Sequence, residues 1–331
     1  MKNLKPFLIK EIVIKSIREF FYTQDFHEVV MPVFNTALPL EPNLYAFETI
    51  WNLKRGEKKF YLSTSPEAEL KKMIGCGMGN CFSIGKSFRN LEDSGVRHSP
   101  EFLMLEWYRE NADYTKIMKD VEELFFYVKK RVDSYLSRQE ERVLDIGQNK
   151  IKISNYWERK SMIDLFAKYA KINLLDTLTD RNMQIVARQK GYETKNANFE
   201  QLFNQIFLNE IESHFSQEPF FLYDFPARIS PLCAVKTKES RLAERFEVYI
   251  AGMELGNGNT ENTDYKEVEK AFKEEEKNRK KRGEICPPID MDFLKALKKM
   301  QNKTFAGIGL GVDRLTMVLG GIKDIKELNN Q

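Results

Sequence analysis

A chain of 331 residues can hold one large domain or two ordinary ones, and an apolar share of 42% is enough for a real core. A formal charge of +3 is too close to balance to argue for a nucleic-acid binder, and no apolar run approaches the roughly 18 residues of a membrane span. The cysteines at 76, 81, 233 and 286 form neither a zinc spacing nor a disulfide framework, and the N-terminus has no apolar signal core, so free thiols and a cytoplasmic protein are expected.

From Lys5 to Phe21, apolar residues recur at helical spacing, with Ile9, Val13, Ile17, Phe20 and Phe21 on one face. FHEVVMPVF then reads as a strand ended by Pro32. SPEAELKKMIGCG predicts a helix with Ser65 as N-cap and Pro66 at its first position. Residues 81–89 and 101–109 read as two strands, and 114–136 as a long amphipathic helix. The span from about 140 to 215 reads as a helical insertion, after which PFFLYDFP and RFEVYIAGMELGNG return to strand character. KEVEKAFKEEEKNRKKRG predicts a charged, solvated helix rather than a binding patch. PPID and a short helix follow, and AGIGLG passes into VDRLTMVLGG as a strand entering a helix. The whole reads as a single α+β domain over 1–331, an antiparallel sheet with helical insertions.

Three segments stand out chemically. In FRNLEDSGVRHSPEF, from Phe88 to Phe102, charged and titratable residues crowd a hairpin between two apolar strands. On the first strand Ser83, Gly85, Ser87 and Arg89 share a nearly bare face that can floor a pocket. On the second, Glu106 has apolar neighbours on both sides. It is either a buried carboxylate that needs a cationic or hydrogen-bonding partner, or part of an edge strand with Glu106 in water.

The second segment is RFEVYIAGMELGNG. A turn at Ala251-Gly252 puts Glu247 and Glu254 on the same sheet face. Close carboxylates repel unless one holds a proton or a cation sits between them, and Mg²⁺ suits oxygen ligands; the alternative leaves one of the two in solvent. The third is AGIGLGVDRL. Gly307, Gly309 and Gly311 allow close backbone approach, although packing glycines are the commoner cause. Arg314 at a helix start is better explained by an anion placed between it and the helix.

Together these segments resemble the three motifs of the class II aminoacyl-tRNA synthetases. FHEVVMP resembles motif 1, FRNLEDSGVRHSPEFLMLEWY motif 2 of the lysyl branch, and GIGLGVDRL motif 3. SPE at 65–67, RHSPEF at 97–102, ELGNG at 254–258 and TEN at 260–262 follow the lysyl order. The motif 1 helix starts within the first ten residues, so no N-terminal anticodon-binding barrel is expected. The layout is similar to the elongation factor P–(R)-β-lysine ligase family, truncated lysyl-synthetase relatives. They activate a lysine as an adenylate and join it to a lysine side chain of elongation factor P. SRLAERFEVY and KNRKKRGEICPPIDMDFLKAL resemble that family more than the full-length synthetase.

The resemblance implies the class II synthetase catalytic fold, ATP and Mg²⁺, elongation factor P as acceptor, a homodimer, and no tRNA binding. It implies that Arg89 and Arg314 are catalytic, flanking the α-phosphate. Further ATP contacts would come from Asn90, Glu92 near the adenine amine, His98 at the outer phosphates, Ser99, and Phe102 stacked on adenine. Glu254, Leu255 and Gly311 would complete the nucleotide site, with Glu247 and Glu254 holding Mg²⁺. Ser65, Pro66, Glu67, Glu106, Tyr108, Glu261 and Gly309 would bind the substrate, the carboxylates meeting its ammonium. The sequence departs from the family at several points. The hairpin between Asn90 and Val96 is one residue longer, Ser99 replaces Asn, and Asn259 and Asn262 stand where Phe and Leu are common. Gly256 and Gly309 replace the alanines common in β-lysine ligases, and both lysine isomers remain candidates. Two other readings stay open: an adenylate-forming enzyme with another acceptor, such as tRNA or a small amine, and a non-catalytic amino-acid sensor.

Overall fold

The computed structural model describes residues 3–91, 95–146 and 149–329. Among these, eight strands build the main sheet. They are β1 (His27–Glu28), β2 (Cys81–Phe88), β3 (Glu101–Glu110), β4 (Glu158–Ser161), β5 (Phe220–Tyr223), β6 (Arg245–Ile250), β7 (Met253–Thr260) and β8 (Phe305–Gly311). Their spatial order is β1-β2-β3-β8-β7-β6-β5-β4. The inner strands are antiparallel, as expected, but both edge strands pair in parallel, so the sheet is mixed. β1 is far shorter than the expected strand. Val29 N–H still donates to the Phe82 carbonyl at 2.8 Å, but Pro32 has no N–H to extend the ladder.

One face of the sheet carries helices α1 (Lys5–Tyr22), α3 (Tyr114–Tyr135) and α8 (Val312–Gly320). Ile9, Val13, Ile17, Phe21, Val121, Phe125 and Leu315 pack there with Trp107, Ile308 and Leu310 of the sheet. Asp113 caps α3 by accepting from the Thr115 and Lys116 N–H groups. Helix α2 (Glu67–Gly75) starts one residue later than expected. Pro66 stands at its N-cap, and Ser65 Oγ accepts from Glu67 N–H at 3.2 Å.

The other face is covered at its two ends. At one end α2 packs with α6 (Tyr265–Arg282) and α7 (Met291–Met300) around Leu70, Tyr108, Phe272 and Phe293. α6 is not solvated all round: Val268, Phe272, Glu275 and Arg279 are buried at helical spacing along one face. At the other end lies the insertion, and it is not helical throughout. Val143–Ile146 pairs with Asn149–Lys152, and β4 joins the main sheet. Ile151, Ile153 and Trp157 alternate into the main core, a strand period inside a span expected to be helical. Only then do α4 (Asp180–Gln189), α5 (Phe199–Ile206) and short helical turns build a second core, in which Phe166, Phe199 and Phe203 cluster with Phe220 and Tyr249 of the sheet.

Candidate active site

Between these two covers lies a cavity of about 440 Å³. β3 floors it, lying inside the sheet rather than at an edge. Glu106 pairs with Ser83 on β2 and with Gly309 on β8, so the reading with Glu106 in water fails. Its side chain lines the cavity and is otherwise buried, the residue being 4% exposed. Tyr108 donates its hydroxyl to Glu106 Oε1 at 2.5 Å, while Oε2 has no hydrogen-bond partner among the described residues. Burial, and then Glu67, push the Glu106 carboxyl up to about 8.

Helix α2 brings the next group. Glu67 in its first turn and Lys71 one turn later form an ion pair, and Lys71 also reaches Glu261 at 2.5 Å. Lys71 is 1% exposed and lies over the rings of Tyr108 and Phe293. Burial works against its charge, but Glu261 and Glu67 outweigh that and raise its pKa. Burial pushes Glu261 up to about 7 against the pull of Lys71. Asn259 Nδ2 donates to Glu261 at 3.1 Å, so the asparagine that departs from the family pattern orients this carboxylate.

The opposite end of the cavity is cationic. Arg89 leaves the end of β2, and its guanidinium lies 5.3 Å from the Phe102 ring centre. Arg314, in the first turn of α8, donates to the Glu254 carbonyl at 2.8 Å and to the Arg97 carbonyl at 3.3 Å. Among the described residues no carboxylate pairs with Arg314. Gly311 at the start of α8 leaves room beside it, since a Cβ there would stand 3.7 Å from the Arg314 side chain. Ala251 and Gly252 form the expected turn between β6 and β7, both with positive φ. The turn pairs Glu254 with Tyr249, on the same face as Glu247, and a bulge at Leu255 shifts the register beyond it. Arg245 pairs with Glu247 at 2.9 Å, and Tyr249 donates its hydroxyl to Glu247 at 3.0 Å. Burial, and then Glu254, push Glu247 up to about 7. Among the described residues no cluster of three or more His, Cys, Asp or Glu is placed to hold a metal ion.

Most of the expected residues meet in this one cavity. Ser65, Glu67, Arg89, His98, Ser99, Phe102, Glu106, Tyr108, Glu247, Glu254, Leu255, Gly309, Gly311 and Arg314 all line it. Three do not. Pro66 stands behind the wall against Gly85, and Glu261 sits behind Lys71. Asn90 donates its N–H to the Tyr45 carbonyl at 2.8 Å, and its side chain accepts from Leu91 N–H. Glu92 lies outside the described residues. Gly256 must be separated from Gly309. A Cβ at Gly309 would make ordinary contacts with Met104 Sδ at 3.4 Å and the Glu106 carboxyl at 3.9 Å. A Cβ at Gly256 would strike the Gly309 carbonyl oxygen at 2.5 Å and point toward Ile308 in the core. Both glycines line the cavity, but of the two only Gly309 would carry a methyl on the Glu106 side.

Sequence reasoning missed several lining groups: Glu41, Arg97, Arg245, and Glu200, Phe203, Asn204 and Phe207 from the insertion. The four-residue spacing of Phe203 and Phe207 was a readable signal, as was that of Glu67 and Lys71. Glu41 sits in a loop with no motif.

This fold and site define a class II synthetase-type catalytic unit. The family of tRNA synthetases class II (D, K and N) matches residues 2–329. A protein of Yersinia enterocolitica named elongation factor P–(R)-β-lysine ligase is 33% identical over 97% of this chain and 93% of its own length. Proteins of the same name from Avibacterium paragallinarum and Salmonella enteritidis are 32% and 34% identical, each over 98% of this chain and 94% of their own. The chain belongs to the elongation factor P–(R)-β-lysine ligase family, and is an ATP-dependent ligase of the class II synthetase type.

Proposed function

We propose that this chain activates lysine or (R)-β-lysine as an adenylate and transfers it to a lysine side chain of elongation factor P. The observation that carries this reading is Glu106 Oε2, a buried carboxylate oxygen without a donor among the described residues, at the acidic end of a cavity that also holds Arg89 and Arg314. A substrate ammonium supplies the missing donor, and its carboxylate then extends toward the arginines. Ser65, Glu67 and Tyr108 shape the acidic end, with Lys71 and Glu261 supporting them from behind.

In this reading a carboxylate oxygen of the substrate attacks the α-phosphorus of ATP, and the bond to pyrophosphate breaks. Arg89 and Arg314 stabilise the charge that develops. The neutral amine of the acceptor lysine then attacks the acyl carbon, the bond to AMP breaks, and an amide forms with release of a proton. No covalent enzyme intermediate is needed, and the chain contributes by positioning both partners. Phe102 stacks on adenine while Glu92, His98, Ser99, Leu255 and Gly311 bound the nucleotide, and Asn90 holds the hairpin from behind through Tyr45. Glu247 and Glu254 fit Mg²⁺, because two carboxylates this close favour a cation between them, and Mg²⁺ neutralises phosphate charge when bound. Gly309 leaves space that a methyl would fill, which supports acceptance of α-lysine beside the β isomer.

The same reading includes a homodimer and a cytoplasmic location, without tRNA binding. Val30, Phe34 and Trp51, near the motif 1 segment, are exposed apolar residues that a second copy would cover. No helix among the described residues is long and apolar enough to cross a membrane.

The test is lysine-dependent pyrophosphate exchange with each isomer, followed by labelling of elongation factor P. Exchange and label with at least one isomer are expected. Exchange without label on elongation factor P rejects the acceptor, and charging of total tRNA would replace it. No exchange with either isomer favours an amino-acid sensor.

A further inference from the structure

The acidic end of the cavity contains a carboxylate that the motifs do not supply. Glu41 lines the cavity with Glu67 and Glu106, and burial, then Glu67, raise its carboxyl above the ordinary value. Its loop is pinned from several sides. Arg279, buried in α6 and 1% exposed, donates to the carbonyl of Glu41 and, at 2.8 Å, to that of Leu44. Its Nε meanwhile holds Glu275 at 2.9 Å, and the Tyr45 ring centre lies 5.3 Å away. Upstream, Leu38 N–H donates to the Pro288 carbonyl at 3.1 Å, and Asp290 N–H donates to the Leu38 carbonyl at 3.3 Å. Across the cavity mouth, Asn43 donates its side-chain amide to Glu200 at 2.8 Å. The C-terminal part of α6, expected to be a solvated charged helix, and the PPID segment after it therefore hold this loop over the pocket.

Charge balance says what the loop is for. Glu67 and Glu261 share Lys71 as an internal cation. Among the described residues, Glu41 and Glu106 have no ion pair of their own. A like-charged cluster in a buried site is stable only with protons or cations among its members. Lys71 and Arg89 act on Glu41 and Lys71 on Glu106 without forming an ion pair with either, and burial outweighs their pull; two such carboxyls match a substrate with two ammonium groups, and both lysine isomers are of that class.

We propose that Glu41 is a further ligand for an ammonium group of a diamino monocarboxylic acid, and that Arg279 is its positioning residue. This rests on reading the cavity as an amino-acid-activating site. The test compares the intact chain with Glu41→Gln, Glu41→Asp and Arg279→Lys. Calorimetric titration with L-lysine and (R)-β-lysine is run beside pyrophosphate exchange, and Tm reports folding. Glu41→Gln should weaken binding of the preferred isomer about tenfold or more and raise its KM equally, since a charge-assisted contact is lost. Its KM for ATP and its kcat should stay within about twofold. Glu41→Asp should recover part of the affinity. Arg279→Lys should raise the amino-acid KM alone, and add little in the Glu41→Gln background because both act on one group. Lysine affinity in Glu41→Gln within about twofold of the parent overturns the proposal, as does a parent that binds neither isomer. A parent that binds lysine without exchange removes the adenylation reading, while the binding comparison still decides the role of Glu41.

Discussion

At the level of single residues, Glu106 and Gly309 give the sharpest expectations. With its carboxyl near 8, Glu106 holds a proton in the substrate-free protein at neutral pH, and an ammonium must displace it. The folded-state value lies above the ordinary 4.5. Its contribution to stability is therefore full below that value and is lost as pH rises through about 8. Substrate binding offsets the loss by pairing the ionised form. The KM for the amino acid should fall as pH rises toward about 8, by up to about tenfold per unit, with Glu41, Glu67, Glu261 and Lys71 facing the same charge. Lysine should also raise Tm more at the alkaline end of that range. Glu106→Gln should raise KM and flatten the profile; a profile that keeps its slope in this variant would assign the proton to a neighbour. Gly309→Ala should leave Tm nearly unchanged and alter the ratio of kcat/KM between the two isomers, and a constant ratio would remove the pocket role of this position.

At the level of elements, the β6–β7 hairpin shows both what a sequence reveals and what it hides. The turn was legible, and Glu247 and Glu254 do share a face. The bulge at Leu255 was not, because a bulge changes pairing without changing composition. The turn also stores strain. Ala251 sits at φ 56°, in the left-handed region where a Cβ is crowded. Ala251→Asn should stabilise the chain by about 1 kcal/mol in urea unfolding, since Asn tolerates this conformation, and the Ala251 N–H bond to Gln217 would survive. Gly256→Ala should act in the opposite direction, costing about 1–3 kcal/mol as two strands move apart. Equal stability of Gly256→Ala and Gly309→Ala would contradict the assignment of the two glycines to opposite faces. The insertion was misread for a related reason. Its strand β4, just after Trp157, owes its pairing to β5, far along the chain, which local helical patterning does not report.

Across the whole molecule, motif-bearing elements were read well because chemistry confines their residue types. The cavity wall supplied by the insertion and by the Glu41 loop was not, because those residues meet the site only through tertiary packing. Asp313 illustrates how widely one motif residue can reach. Its carboxylate accepts from Leu103 N–H on β3 at 2.7 Å and pairs with Lys10 on α1 at 2.6 Å, tying three elements together. Asp313→Ala should cost about 1–3 kcal/mol, because Leu103 N–H loses its acceptor and Lys10 keeps only its bond to Asn329; a loss below about 0.5 kcal/mol in urea unfolding would show the tie to be redundant.

The two parallel edge strands have a consequence for how copies of this chain meet. β1 offers only two residues and β4 only Glu-Arg-Lys-Ser, so neither border presents a long apolar row of open backbone groups. Such short or charged borders resist edge-to-edge strand addition. Self-association by extension of this main sheet is thereby disfavoured, which guards an eight-stranded β structure against fibre-like growth at its borders.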